Sequence, residues 1–425
     1  MKHLFILVLL LLSTSLLKAQ SLYFPPLSGN QWETINPAEL GWCQDSIEAL
    51  YTMLDQANTK SFIVLKDGKI VLEKYFDTFT ADSFWYWASA GKTLTAFTIG
   101  LAQEQNIINV QAPVSQYLGT GWTSAPSDKE LQIKVWNQLT MTSGLDDSYT
   151  NNDCTEPQCL QYLADAGTRW AYHNAPYTLL HAVVDSTGTT FNNFYLTQLR
   201  NKIGMNGLWI PIESYNKVYF SNTRSMARFG LLLLNRGVWN NDTILHDTDY
   251  FDAMTNTSQD LNLSYGYLTW LNGKSSYMLP LSQTVISGAA IPDAPDDMIM
   301  ALGKNDQKLH VVPSQGLVVV RLGEAASPLQ LVPIILDNQI WKKLSAMSCP
   351  SSTIASVNTE EELIQTVSDR YIQLNPALIN KSFTVFNIVG QLVLEGMYTQ
   401  PIHIQHLTPG QYIINCNNQS AFFIK

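Results

Sequence analysis

The hydrophobic and polar positions of the first hundred residues follow two different periods in turn. A helical period over Asp45–Asn58 predicts a helix, whose apolar face is formed by Ile47, Leu50 and Leu54. Asp45 and Glu48 have the spacing of a capping box at the start of this helix. Two runs rich in β-branched residues, joined by Asp67-Gly68, predict a hairpin over Ser61–Phe76.

The pattern then becomes mostly helical up to about Leu281. One helix begins after the aromatic run Phe84–Trp87, and its apolar face is formed by Leu94, Phe97 and Leu101. Further helices are predicted over Ile133–Leu139, Pro176–Ser186 and Thr223–Arg236. Strand-like runs return over Ser264–Leu271, Met298–Leu302, Gln307–Val312 and Leu317–Leu322, before a closing helix over Pro328–Leu344. A hairpin, a helical middle and late strands indicate an α+β domain.

The C-terminal part of the chain differs in character from the rest. Residues 346–370 are predicted to be a linker, which leaves 20–345 as the main domain. Short strands follow, separated by glycines: Ser382–Asn387, Gln391–Leu394, Ile402–Ile404, Gln411–Asn415 and Ala421–Ile424. They predict a small all-β sandwich over 371–425.

Composition narrows the class of protein further. The 425 residues, 46% hydrophobic and 14% charged, are enough for two or three globular domains. The net charge of −10 and the absence of a basic stripe argue against a nucleic-acid partner. Residues 1–19, with Lys2, His3 and an apolar core over Leu4–Leu12, predict a secretory signal peptide. Its removal makes the net charge −12. No later segment is apolar enough for a transmembrane helix, so the sequence predicts a secreted or cell-surface protein exported through the periplasm.

Export places the five cysteines where disulfides persist. Cys154 and Cys159 lie at the two ends of a Pro-bent loop that a disulfide can close. The remaining three, Cys43, Cys349 and Cys416, cannot all pair, and the sequence leaves their redox state open.

The first candidate chemistry is a Ser-x-x-Lys tetrad at Ser89 and Lys92. At the start of a helix this spacing places the hydroxyl and the amine on one side. A lysine with a lowered pKa can accept the proton of a serine nucleophile. The tetrad also occurs at Ser15 and Ser214, but only Ser89 opens a helix. The alternative is that Ser89 caps the helix and Lys92 is a solvated first-turn residue.

The second candidate is Tyr172-His173-Asn174, on a loop before a helix. Next to an ammonium group, a tyrosine can carry a proton between nucleophile and leaving group, and an amide can position both lysine and substrate. The alternative is a buried Tyr172 with Asn174 as helix N-cap. Position 87 is Trp and Ser89 is followed by Ala90, so there is no Gly-x-Ser-x-Gly elbow, and His173 is interpreted as structural. No zinc, phosphate-loop or dinucleotide motif occurs, so neither metal nor cofactor is predicted.

Together, these motifs resemble the class C β-lactamase-like serine hydrolases, which include β-lactamases, D-Ala carboxypeptidases, esterases and 6-aminohexanoate-dimer hydrolases. The resemblance covers roughly residues 40–345 and rests on the ordered motifs Ser89–Lys92, Thr140–Leu145 and Tyr172–Asn174 and on the terminal strand pair. It implies a β-lactamase/transpeptidase-like split α/β domain, with an antiparallel sheet flanked by helices and an all-helical insertion. The active site would lie at their junction.

The resemblance also implies roles for individual residues. Ser89 would be the acylated nucleophile, Lys92 its proton partner, Tyr172 the general base and acid, and Asn174 a positioner of substrate and lysine. The family's third motif, Lys-Thr-Gly or His-Thr-Gly, is matched here by Ala301-Leu302-Gly303, which lacks the cation and the hydroxyl. Gly303 keeps a close backbone approach, so that the N–H groups of Ser89 and Lys304 would form the oxyanion hole.

The tail has a resemblance of its own. Asn375–Ala377, Phe386–Gln391 and Leu407–Tyr412 resemble the C-terminal sorting domains of the bacterial type IX secretion route. That implies the type IX machinery as a partner and removal of the tail after passage. An ordinary carbohydrate-binding or spacer sandwich is the alternative.

The leading hypothesis is a secreted serine hydrolase that forms an acyl-enzyme on an ester or amide. A D-Ala-D-Ala-type peptidase or β-lactamase acting on cell-wall substrates is the alternative within the same class. A surface-displayed binding protein on an inactive hydrolase fold is the alternative from another class. The complete set of Ser89, Lys92, Tyr172 and Asn174 argues against the last, because an inactive site has no physical need for all four.

Overall fold

The computed structural model describes residues 22–148, 152–212, 216–326, 334–349, 363–368, 370–387, 391–399, 401–417 and 419–425. The predicted signal peptide and most of the predicted linker lie outside these residues. The chain divides into two compact units, Met1–Cys349 and Pro350–Lys425.

The helices of the described residues are α1 (Gln44–Gln56), α2 (Gly91–Glu104), α3 (Ser115–Leu118), α4 (Ser127–Glu130), α5 (Val135–Leu139), α6 (Asn174–Asp185), α7 (Phe191–Tyr195), α8 (Thr223–Leu234), α9 (Thr248–Met254) and α10 (Ile334–Ser345). The strands of the first unit are β1 (Thr59–Lys66), β2 (Lys69–Tyr75), β3 (Trp85–Tyr86), β4 (Leu208–Ile212), β5 (Asn216–Ser221), β6 (Val238–Trp239), β7 (Asp242–Thr243), β8 (Trp270–Leu271), β9 (Ser276–Tyr277), β10 (Ile286–Ser287), β11 (Ile299–Gly303), β12 (Gln307–Val312) and β13 (Leu317–Gly323). Those of the second unit are β14 (Ile364–Val367), β15 (Tyr371–Leu374), β16 (Ser382–Asn387), β17 (Leu392–Met397), β18 (Ile402–His403), β19 (Gln411–Cys416) and β20 (Gln419–Ile424).

A six-stranded antiparallel sheet is the centre of the first unit, in the order β2-β1-β13-β12-β11-β8. Residues from both ends of the unit meet in it, because Val64 of β1 pairs with Val319 of β13. Alternate side chains of β12 point to opposite faces. Leu309 faces Gly230 of α8, whereas His310 contacts Trp341 of α10. The sheet is therefore covered on both sides and carries the core, as predicted for a split α/β domain.

The insertion expected to be all-helical also contains strands, β4 to β7, so that expectation is wrong. Two local predictions are wrong as well. The N-cap of α1 is Cys43, without a side-chain cap bond, and Glu48 accepts a hydrogen bond from Gln44 instead of closing a capping box with Asp45. The predicted strand Ser264–Leu271 is paired only over its last two residues, as β8. Before β8 the chain turns back on itself, with Gly266 N–H donating to Thr269 and Leu271 N–H donating to Ser264.

The second unit consists of two small sheets, in the orders β14-β15-β18 and β17-β16-β19-β20. Its apolar core includes Ile372, Leu374, Val385, Ile404 and Ile414. This confirms the expected small β-sandwich. Strand β14 lies within the predicted linker 346–370, so that part of the linker is extended.

Two disulfides close loops of very different length. Cys43 is bonded to Cys349, 306 residues away, and Cys154 is bonded to Cys159. Cys416 forms no disulfide and is buried. Among the described residues, no helix is both long and apolar enough to cross a bilayer.

Candidate active site

Ser89 lies in a tight turn between a short strand and a buried helix. β3 pairs with β5, and Trp87 N–H donates to the carbonyl of Tyr219, which fixes the approach to the turn. Ala88 has φ 47°, a left-handed conformation that costs a residue with a side chain about 1–3 kcal/mol. Ser89 then belongs to a single turn of 3₁₀ helix, Ala88–Ala90, that runs directly into α2. The backbone strain therefore lies at Ala88, immediately before the predicted nucleophile Ser89.

Lys92 is 2% exposed and points back along the first turn of α2. Its Nζ lies 2.8 Å from Ser89 Oγ and 2.8 Å from Asn174 Oδ1. Burial lowers the pKa of the Lys92 ammonium from its ordinary value to about 7, and the negative charge of Asp153 opposes this shift. In a substantial fraction of the molecules the Lys92 amine is therefore uncharged near pH 7. An uncharged amine can accept a proton.

Tyr172 and Asn174 come from the loop that leads into α6, with Asn174 as the first residue of the helix. The Lys92 Nζ lies 4.8 Å from the centre of the Tyr172 ring. Burial raises the pKa of the Tyr172 phenol, and side-chain hydrogen bonding with Ser89 and Trp270 favours the phenolate in the opposite sense. Because burial has the larger effect, Tyr172 is a neutral phenol in the free protein.

Gly303 brings the end of β11 against the serine turn. A Cβ on Gly303 would lie 2.4 Å from the carbonyl oxygen of Trp87 and 3.0 Å from the nitrogen of Ala90. Only glycine allows this approach, which places the next residue, Lys304, beside the turn that contains Ser89. The side chain of Lys304 is exposed, whereas Ala301 and Leu302 are buried apolar residues.

We expect Gly303→Ala to lower kcat/KM for an aryl ester by about a hundredfold, the usual effect of losing one oxyanion-hole donor. The two atoms nearest to the new methyl group belong to the backbone, so the strand must move away from the serine turn. Steady-state kinetics on the folded variant measure the effect. Gly396→Ala, in a strand of the second unit, is the matched control and should keep full activity. Unchanged kinetics for Gly303→Ala would exclude an oxyanion hole at this contact.

An aromatic group around Tyr172 was not predicted from the sequence. The Tyr172 ring stacks on Trp270 at 5.8 Å, and further rings pack around this pair, namely Trp170 and Tyr265. Tyr177, one turn after Asn174, lies with its ring centre 4.1 Å from Lys92 Nζ. Of these aromatic residues, only Tyr177 could have been placed near the site from the sequence, through its spacing from Asn174. By contrast, the aromatic run before Ser89 is partly core, since Trp87 is fully buried and Phe84 is 44% exposed.

His173 is buried, and among the residues that the structure describes none forms a hydrogen bond with its Nδ1. Burial lowers the pKa of His173 to about 4, so it is neutral at neutral pH. Within the described ranges, no three His, Cys, Asp or Glu side chains are grouped closely enough to hold a metal ion.

The structure thus brings together Ser89, Lys92, Tyr172, Asn174 and Gly303, and the roles of these residues stay predictions. Of the two other tetrads, Ser15 and Ser214 lie outside the described residues, and Lys217 lies in strand β5.

Fold and site define the chain as a serine hydrolase in general terms. It belongs to the Beta-lactamase family, whose model matches residues 52–331. No curated protein matches the sequence significantly.

Solved structures show the same fold at low sequence identity. A protein assigned as a 6-aminohexanoate-dimer hydrolase, from Bacillus anthracis, is 18% identical with a TM-score of 0.59, over 77% of this chain and 91% of that one. A penicillin-binding protein homolog from Caulobacter crescentus is 13% identical, with a TM-score of 0.55 over 72% and 99% of the two chains. A β-lactamase/D-alanine carboxypeptidase from Yersinia pestis is 14% identical, with a TM-score of 0.53 over the same shares.

Proposed function

We propose that this protein hydrolyses an ester or amide through an acyl-enzyme on Ser89. The observation that carries the proposal is the position of Lys92 Nζ, 2.8 Å from both Ser89 Oγ and Asn174 Oδ1. A buried amine with a pKa of about 7, in contact with a serine hydroxyl, is suited to general-base catalysis.

Acylation begins when Ser89 Oγ attacks the carbonyl carbon and its proton passes to neutral Lys92. The N–H groups of Ser89 and Lys304 then hold the oxyanion. When the bond to the leaving group breaks, the neutral phenol of Tyr172 protonates the departing oxygen or nitrogen and recovers a proton from Lys92. Water attacks the acyl-enzyme by the same steps in the second half-reaction, which regenerates Ser89 and releases the acid.

The base is assigned from the opposite pKa shifts of Tyr172 and Lys92. The pKa of Tyr172 is raised by burial and that of Lys92 is lowered. At neutral pH, Lys92 therefore accepts a proton more readily than a Tyr172 phenolate can form. We assign Lys92 as the base in acylation and Tyr172 as the acid and relay, a refinement of the base role that the resemblance implied for Tyr172.

The substrate is proposed to be an uncharged ester or amide rather than a β-lactam. Two buried apolar side chains, Ala301 and Leu302, stand where the related hydrolases carry a cation and a hydroxyl. Membership of the Beta-lactamase family keeps a cell-wall peptidase or β-lactamase as the second candidate. Stable trapping of penicillin, seen as added mass on the intact protein, would favour that candidate.

Labelling with a fluorophosphonate probe tests the proposal. We expect one probe per chain, and peptide mapping should place it on Ser89. Labelling elsewhere, or none in a protein that binds glycans or other ligands, would favour the binding-protein alternative.

We also propose that the protein works outside the cytoplasm, after removal of residues 1–19 and sorting through residues 371–425. The two disulfides support this, because such bonds persist in oxidising compartments. N-terminal sequencing and intact mass of protein recovered from the medium of the native host would show whether both ends are removed.

A further inference from the structure

We infer that Asn152, two residues before the loop that the Cys154–Cys159 disulfide closes, is a positioning residue for Asn174 and, through it, for Lys92. This inference rests on the proposed function. Asn152 belongs to none of the sequence motifs.

Asn152 caps the helix that carries Asn174. Its Oδ1 accepts a hydrogen bond of 2.8 Å from the backbone N–H of Asn174, and its carbonyl oxygen accepts one of 3.1 Å from Ala175 N–H. These are two of the four N–H groups that a helix leaves unpaired at its start. The contact fixes the backbone of the residue whose Oδ1 receives Lys92 Nζ. Asn152 thus sets the position of the lysine through Asn174.

The disulfide restricts the short segment that Asn152 precedes. Cys154 and Cys159 are buried, and their Cα atoms lie 5.9 Å apart. The loop between them is attached to the body of the domain, because Ser124 Oγ donates to Pro157 and Ser124 N–H donates to Leu160. The chain that leaves Asn152 is thus anchored two residues later, at Cys154.

The role of Asn152 is tested by loss and conservative rescue. Asn152→Ala removes the side-chain acceptor, and we expect kcat/KM at pH 9 to fall about tenfold, as for the loss of a typical helix cap. Asn152→Asp keeps an acceptor at the same place and should restore kcat/KM at pH 9 to within about threefold of the wild type. Equal losses in both variants, or no loss in Asn152→Ala, would overturn the capping role.

Two double variants distinguish an effect of the Cys154–Cys159 loop on catalysis from a general loss of stability. Cys154→Ser/Cys159→Ser should lower kcat/KM about tenfold. The matched control, Cys43→Ser/Cys349→Ser, removes the disulfide that joins the start of α1 to the end of the first unit, and should lower Tm while kcat/KM is unchanged. Equal kinetic loss in both, or none in the first, contradicts the proposal. Failure of the proposed function itself would differ, because the wild type would then not be labelled on Ser89.

Discussion

Ser89→Ala should abolish hydrolysis of a small aryl ester, with a loss in kcat of about 10⁴- to 10⁶-fold, the range found when a serine nucleophile is removed. The variant keeps the N–H of residue 89 and loses only the oxygen that forms the acyl bond. Labelling by a fluorophosphonate should disappear at the same time. Hydrolysis and labelling are both measured on a preparation of the variant whose Tm equals that of the wild type.

Ser127→Ala is the matched control for this variant. Ser127 is exposed at the start of α4 and contacts none of the site residues. We expect full activity and labelling in that variant. Labelling of Ser89→Ala at the wild-type level would place the nucleophile elsewhere and remove the basis of the proposed mechanism.

Lys92→Met should lower kcat/KM by about 10³-fold, within the range that general-base catalysis contributes. Methionine fills nearly the same buried volume without a proton acceptor. The matched control is Lys202→Met, because Lys202 is exposed in a turn of 3₁₀ helix away from the site. A Lys92→Met enzyme with more than a tenth of the wild-type kcat/KM would assign the base to another group.

The same variant should be more stable than the wild type at pH 7. A shift of the Lys92 pKa from 10.5 to about 7 corresponds to about 4–5 kcal/mol of destabilisation when the unfolded chain is charged. Loss of its hydrogen bond to Asn174 costs about 1–3 kcal/mol. The first effect is larger, so a net gain of about 2 kcal/mol is expected.

The pH dependence of stability has a definite sign here. The folded-state pKa of Lys92 lies below the unfolded value, so between pH 7 and about 10 the unfolded state binds more protons. The free energy of unfolding of the wild type should therefore rise with pH across this window. In Lys92→Met this rise should be absent, as followed by denaturant unfolding at pH 7, 8 and 9. A rise of the same size in the variant would show that Lys92 is not the group responsible.

The sequence predicted the parts of the fold that depend on local periodicity. The hairpin around Asp67-Gly68 and the strand Gln307–Val312 are where the pattern placed them. The failed strand Ser264–Leu271 has the composition of a strand, but a Cβ on Gly266 would lie 2.1 Å from the carbonyl oxygen of Met254. That contact with Met254 forces a turn. The hydrophobic pattern of the eight residues Ser264–Leu271 does not predict it.

The residues of the site likewise divide into those that local spacing predicts and those that only tertiary packing brings in. Ser89 and Lys92 are three residues apart, so helix geometry alone predicts their contact. Tyr172 and Asn174 were recognised only through the order of motifs along the chain. Trp270 and Asn152 had no signal, because their part in the site depends on tertiary packing around Tyr172 and on a hydrogen bond to the first residue of α6.

The pairing of β1 with β13 has a consequence during synthesis. The two strands begin at Thr59 and Leu317, so the ribosome needs roughly 10 to 50 s to make the second after the first. Throughout that interval the apolar run Phe62–Leu65 has one unpaired edge, which favours aggregation. The central sheet therefore cannot be completed, and enzymatic function cannot begin, until β13 near the end of the first unit has been translated.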